Sequence, residues 1–271
     1  MNMLTRYTKF SWLLMALLCL MHPGHAAGNT DTLHFATESF PPFNHEENGA
    51  AAGPMLEIIQ AACGMAQITC TAEIMPWRRA LALAENGRVD GIFSILLNES
   101  REKKFFLSDP IIRTAYSFFA LKASAWEYKT PSDLNGMAIG VYGPSGTSDT
   151  LNEIVGNAQD VRVTLELTNF DAFKTLALGV YGAKAAVFAN RDVGLALLQS
   201  RNAALPASAS EILPVGDARQ IVYGFGLSRQ KASHAAHMEA LNRALRKMAL
   251  SGQTRKILTR YGLQAATKAT P

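Results

Sequence analysis

Met137–Tyr142 (MAIGVY), Ser145–Val155 (SGTSDTLNEIV), Val161–Leu167 (VRVTLEL), Phe170–Val180 (FDAFKTLALGV), Ala185–Ala189 (AAVFA) and Asp192–Gln199 (DVGLALLQ) are the stretches that decide the fold. They read as strand, helix, strand, helix, strand, helix, the alternation of an α/β protein with mainly parallel strands. The same grammar extends toward the N-terminus. Thr32–Thr37 is a short β-type run stopped by the turn Phe40-Pro41-Pro42-Phe43. Pro54–Cys63 carries Met55, Ile58, Ile59 and Ala62 at helical spacing, with Pro at the first position and Gly64 placed to stop it. Ile68–Ile74 is a strand. Pro76 opens a helix whose Trp77, Leu81 and Ala84 share a face and which Asn86-Gly87 ends, and Val89–Leu97 is again a strand. Toward the C-terminus come a strand, Ile221–Ser228, and helices over His234–Leu250 and Thr254–Tyr261. No low-complexity linker divides these blocks, so any two domains are joined by extended segments.

The 271 residues are 48% apolar and 18% charged, enough to bury a substantial core and unlike a disordered or fibrous chain. Arg6 and Lys9, the apolar Ser11–Met21 and the small residues of Gly24-His25-Ala26 read as a secretory signal peptide, residues 1–26, cleaved after Ala26. The apolar run is about 11 residues, whereas spanning a bilayer takes roughly 20. A lipoprotein reading through Cys19 is weaker, because Leu18 precedes it. Without the leader, 24 Lys plus Arg face 22 Asp plus Glu. So small a surplus, with no basic run, cannot form a phosphate-neutralising surface, and nucleic acid is excluded as a partner.

Export makes a disulfide possible. Cys63 and Cys70 close a short loop between a helix end and a strand start. A bond there would restrict the unfolded chain by about 2.5 kcal/mol; two free, buried thiols are the alternative. Zinc is a poorer reading, since no nearby His or Cys pair completes four ligands.

Catalytic signatures are absent. His45-Glu46 lacks the second His of a zinc-protease helix. Gly143-Pro144-Ser145-Gly146 is one residue short of a nucleophile elbow, and Ser-x-x-Lys occurs twice, at Ser100–Lys103 and Ser228–Lys231, without its companion motifs. His234 and His237 could share a helix face, but with no third ligand they read as a solvated pair rather than a metal site. No cofactor is expected.

Phe40-Pro-Pro-Phe43, Gly53-Pro-Met-Leu-Glu57, Gly87-Arg-Val-Asp-Gly91, Arg101-Glu-Lys-Lys-Phe-Phe-Leu-Ser-Asp-Pro110, Ser132-Asp-Leu-Asn-Gly136, Val141–Thr147 and Leu241–Gly262 follow one another along the chain. In that order they resemble family 3 of the bacterial extracellular solute-binding proteins. The resemblance covers residues 32 to 263. It implies a two-lobed, type II periplasmic-binding-protein-like α/β fold with a ligand cleft between lobes joined by two crossing strands. Lobe 1 would combine residues 28–113 with 225–265, lobe 2 would take 118–220, and 266–271 would be a tail. Hinges would fall near Arg113–Ser117 and Gln220–Phe225. The Cys63 to Cys70 offset is similar to a disulfide in some members.

The resemblance also implies ligand-binding residues. Arg101 matches the arginine that grips a ligand carboxylate, for which a planar guanidinium offers two parallel hydrogen bonds; its bland reading is a solvated Arg in a charged run. Ser94 would add a hydroxyl, while Leu96 occupies a place often polar in amino-acid receptors. Thr147, at a helix start, would hold the same anion from lobe 2, or simply cap the helix with Ser145. Phe40 and Trp77 match aromatic walls, although Trp77 also fits as core on the Leu81 face, with Arg78 and Arg79 exposed. At the amine end the chain departs from the family: Ala185 and Asn190 stand where acids are common. Asn190 accepts a hydrogen bond but cannot neutralise an ammonium; Glu38 would supply that charge from lobe 1, or be a solvated loop acid.

The expected function is therefore that of a periplasmic solute-binding protein, a monomer capturing a polar amino acid or related small carboxylate for the membrane permease of an ABC transporter, without turnover. The rivals are a cleft enzyme resembling cyclohexadienyl dehydratase, with Glu38 and Arg101 as its acid and anion pair, and a ligand-sensing input protein.

Overall fold

From Thr32 onward the computed structural model has the predicted alternation of strands and helices, and it describes residues 31–124, 126–200 and 204–266. The expected leader and all of the expected tail except Ala266 lie outside the described residues.

β1 (Thr32–Thr37) is followed by the hairpin β2 (His45–Glu47) and β3 (Ala50–Ala52), then α1 (Pro54–Met65), β4 (Thr69–Ile74), α2 (Trp77–Glu85), β5 (Gly91–Leu96), α3 (Glu99–Glu102), β6 (Phe105–Leu107) and β7 (Ile112–Leu121). A second run comprises β8 (Ala138–Tyr142), α4 (Gly146–Val155), β9 (Arg162–Glu166), α5 (Asn169–Ala177), β10 (Ala185–Asn190) and α6 (Arg191–Gln199). The described chain closes with β11 (Ile212–Ser228), α7 (Ser233–Leu250), α8 (Gln253–Thr259) and β12 (Gln264–Ala265).

One sheet takes the order β4-β1-β5-β11-β7-β10-β8-β9, with β12 on β7 and β6 on β11. The triplets β4-β1-β5 and β9-β8-β10 are parallel and have the same internal order. Parallel neighbours require crossovers, which α1 and α2 supply in the first triplet and α4 and α5 in the second. Between the triplets, β7 and β11 run antiparallel to each other. The two segments expected as hinges lie side by side there, Arg113 opposite Val222 and Ala115 opposite Gln220.

β11 begins nine residues before the predicted Ile221, and β7 is absent from the predicted strands. The reason lies in the alternation. Pro214, Gly216, Asp217 and Arg219 interrupt the apolar pattern of β11, and the register shifts between Pro214 and Gly216 and between Asp217 and Arg219. Such bulges let a strand carry residues that a regular ladder would reject.

The core follows the periodicity. Met55, Ile58, Ile59 and Ala62 of α1 are fully buried, as are Phe35, Phe93 and Phe225 from the sheet. Burying such a side chain is worth about 1.5–3 kcal/mol. Gly64 does not stop α1. Ala66 still donates its N–H to the carbonyls of Ala62 and Cys63, and the left-handed turn falls on Gln67, at φ 57°. Cys63 and Cys70 are joined as a disulfide with Cα atoms 6.1 Å apart, tying the end of α1 to β4. Gly91 is required by close approach, since a Cβ there would lie 2.5 Å from the Phe35 ring and 2.8 Å from the Gly226 carbonyl.

His234 is a correction to the solvated pair. It is 1% exposed, with Nδ1 2.7 Å from the Ser228 carbonyl and Nε2 3.2 Å from Asp90 Oδ1. Asp90 also accepts the His34 backbone N–H at 2.8 Å and pairs with Lys231, so one carboxylate joins β1, the lead-in to β5 and α7. Burial pushes this carboxyl up, but the Lys231 ammonium, the His34 N–H and His234 together outweigh it and hold it below its ordinary value. Both ring nitrogens of His234 are thus committed within the fold.

Candidate functional site

The site is assembled where β1, β5, β8 and the two long strands end or cross. After β1, Phe40 N–H donates to the Asn44 carbonyl at 2.8 Å and Phe43 N–H to the Phe40 carbonyl at 3.0 Å, folding residues 40–44 into a tight turn. Asn44 is fully buried and braces this turn: its amide donates to the Glu38 carbonyl, and its oxygen accepts the Ser94 hydroxyl. Ser94 has φ 56°, a left-handed conformation that only a constrained surrounding holds in a non-glycine strand residue. The Phe40 ring packs on Phe43 at 5.4 Å and edge-on to Tyr223 at 6.0 Å.

Trp77 opens α2 and is nearly buried, on the same face as Leu81, so it is both core and wall. Asn98 caps the short α3 by accepting the Arg101 N–H at 2.9 Å, which aims the arginine back over α2. The Arg101 guanidinium lies 5.9 Å from the Trp77 ring centre and donates to Glu85 at 3.3 Å. Its side chain is only 15% exposed, unlike a solvated charge run. Burial pulls its pKa down, and Glu85, Asp149 and Tyr116 oppose that shift; an arginine remains charged at neutral pH regardless.

From the second triplet, Ser145 caps α4 by accepting the N–H groups of Thr147 at 3.2 Å and Ser148 at 3.4 Å. Thr147 is thereby held at the first turn, beside Tyr116, whose hydroxyl is 3.3 Å from that of Tyr223. Tyr142, the last residue of β8, donates its hydroxyl to Glu38 at 3.0 Å. This bond links the two triplets of the sheet directly. Burial raises the Glu38 carboxyl from 4.5 to about 7, a shift that the Tyr142 hydrogen bond opposes.

These side chains surround a cavity of about 40 Å³. Six residues singled out from the sequence line it together: Glu38, Phe40, Trp77, Ser94, Arg101 and Thr147. Asn190 lies outside that lining. It is 2% exposed, its oxygen accepts the N–H groups of Asp192 at 3.0 Å and Val193 at 3.1 Å to cap α6, and its amide is 3.3 Å from the Thr114 hydroxyl. Tyr116, Tyr142 and Tyr223 also line the cavity and were not singled out. Tyr116 and Tyr223 fall within the expected hinge segments, where an aromatic hydroxyl is the available signal; Asn44 carries none beyond adjacency to Phe43. Chemically, the cavity offers one guanidinium, one carboxyl of near-neutral pKa and aromatic walls. Ordinary ligand pockets start at roughly 300 Å³, so a ligand enters only if the walls part. Among the described residues no group of three His, Cys, Asp or Glu side chains could hold a metal.

Solved structures share this architecture. A histidine kinase sensor domain with similarity to periplasmic binding proteins superposes with a TM-score of 0.73 at 19% identity, covering 88% of this chain and 99% of that one. An ancestral arginine-binding protein bound to arginine gives 0.70 at 24% identity, covering 85% and 97%. An ancestral amino acid-binding protein, a precursor of cyclohexadienyl dehydratase, gives 0.68 at 17% identity, covering 85% and 94%. The fold is the type II periplasmic-binding-protein fold. No curated protein sequence matches the chain. Residues 33–264 match the bacterial extracellular solute-binding proteins, family 3, and the chain belongs to that family.

Proposed function

We propose that this is a periplasmic solute-binding protein that captures a small carboxylate, an amino acid or a near relative, between two closing lobes and delivers it to the permease of an ABC transporter. The lobes are residues 28–113 with 225–265, and 118–220, with β7 and β11 as the connection. The protein acts as a monomer after loss of residues 1–26 and has no turnover of its own. The observation that carries this reading is the half-buried Arg101 guanidinium facing an enclosed, aromatic-walled cavity. A charge taken this far from water is costly unless an anion repays it, and Glu85 at 3.3 Å is only one partial partner. Closure around a ligand touching both lobes creates contacts that the open form lacks.

On this reading the Tyr142–Glu38 hydrogen bond, at 3.0 Å, is a contact that closure would make. The test is a thermal-shift screen of amino acids, amines and organic acids, followed by calorimetric titration of the hits. Carboxylates should stabilise the protein and Arg101→Ala should abolish the effect; hits indifferent to Arg101→Ala would overturn the reading. A second reading, ligand sensing, is favoured by the similarity to a histidine kinase sensor domain. It predicts the same binding with no permease-dependent uptake. Dehydratase-like chemistry with Glu38 as the acid would instead consume the ligand, which NMR of the incubated mixture detects.

A further inference from the structure

A second cavity, of about 290 Å³, shares three walls with the first: Glu38, Phe40 and Tyr142. Beyond these, Pro41 closes it on one side and Leu167, Phe170, Val193, Ala196 and Leu197 on the other. Its surface is mostly carbon, and one of its hydroxyls is already committed: Thr168 donates to Asp171 at 2.7 Å and accepts the Asp171 N–H at 3.0 Å as the cap of α5. Leu167 is 74% exposed, an apolar side chain at the rim that the core does not require. The Glu38–Tyr142 hydrogen bond stands at the junction between the two spaces.

We infer that this annex is the tail subsite of the same ligand, so that the protein selects carboxylates bearing an extended apolar chain, the carboxylate at Arg101 and the chain passing Phe40 and Tyr142 to lie against Leu167, Phe170 and Leu197. The inference rests on the carboxylate reading of Arg101. The first cavity alone is an order of magnitude below ordinary ligand pockets, whereas the annex reaches their lower limit. A chain placed there exchanges water for carbon walls, and only ligands long enough to reach it gain.

The test is calorimetric titration of the full chain with alanine, norvaline, norleucine and 2-aminooctanoate, and in parallel with butanoate, hexanoate and octanoate. Once a chain reaches the annex, each added methylene should tighten binding about fourfold, the equivalent of the 0.8 kcal/mol of burying one CH₂. Ala196→Trp fills the annex and should flatten that dependence. Phe170→Ala removes one wall and should reduce it, and serves if the first variant does not fold. Short members that bind through Arg101 with no gain on lengthening would overturn the annex and leave the proposed function standing. Failure of both series to bind, while another carboxylate binds through Arg101, would overturn the annex alone; ligands that bind wild type and Arg101→Ala equally would overturn both.

Discussion

Raising the pH of the ligand-free protein from 5 to 8 should weaken it through Glu38, and Glu38→Gln should remove that loss. The carboxyl titrates at 4.5 when exposed and at about 7 in the folded chain, because burial disfavours its charged form. Between those values the folded protein holds a proton that the unfolded chain has released, so stability falls as pH rises. The loss is complete above pH 7 and amounts to roughly 3 kcal/mol, at 1.36 kcal/mol for each pH unit between the two values. The neighbouring groups do not reverse this sign. Tyr142 faces the carboxyl from β8 with its hydroxyl donated, Tyr223 faces it from β11, and both phenols are held above their ordinary value, by burial first. Arg78 is felt at Tyr142 but is exposed. The figure is a ceiling: Glu38 and Tyr142 come from different triplets of the sheet, so parting them hydrates the carboxylate and limits the cost to that of opening. Urea unfolding of wild type and Glu38→Gln at pH 5, 6, 7 and 8 measures it, and subtracting the two curves cancels every other titrating group. Gln keeps an oxygen to accept the Tyr142 hydroxyl. The variant should gain on wild type as pH rises; a flat difference, or one of opposite slope, would refute the burial argument.

Three further outcomes are expected. Arg101→Ala should weaken carboxylate binding at least about a hundredfold, the worth of two hydrogen bonds to a charged group, while urea unfolding shows the fold retained; isothermal titration reads the loss. Reducing the Cys63–Cys70 bond should cost about 2.5 kcal/mol of unfolding free energy, and the unfolded chain without residues 1–26, which hold Cys19, should resist thiol labelling until reductant is added. Asp90→Asn should destabilise by about 1–3 kcal/mol at neutral pH, because it removes the negative charge and one of the two carboxylate oxygens that His34, Lys231 and His234 face. The wild-type advantage should be full above the ordinary carboxyl value of 3.8 and vanish as pH falls through the depressed folded one, which acid unfolding of both proteins checks.

The repeated strand and helix grammar was legible because each element buries one face at its own period. Met55, Ile58, Ile59 and Ala62 announce α1, and the Met137–Gln199 stretch announces the whole second triplet. Of the two long strands, only the Ile221–Ser228 half of β11 was legible as a strand. Their residues serve neighbours on both sides and a bulged register, so β11 tolerates Pro214 and Gly216 where alternation would forbid a strand. His234 was misread for a related reason: what buries it is the Asp90 carboxylate, far away in sequence, and no local pattern carries that information.

The site divides along the same line. Arg101, Trp77, Phe40 and Thr147 sit at element ends, where a short motif carries both the position and the chemistry, and they converge on one cavity. Tyr116 and Tyr223 reach it only because β7 and β11 run side by side there, and Tyr142 because it ends β8. Asn190 shows why residue type alone does not decide a role. Its oxygen accepts from two backbone N–H groups at the start of α6, and an acceptor so engaged has little left for a ligand. On the proposed reading, Glu38 is then the carboxyl lining the cavity that would meet an ammonium group. With its pKa raised to about 7, that carboxyl is about half protonated at neutral pH and would have to release its proton to pair with a cation. An amino acid and its deaminated counterpart must then differ in the protons exchanged on binding, whatever their affinities, and that difference follows from burial of one carboxyl rather than from the rest of the pocket.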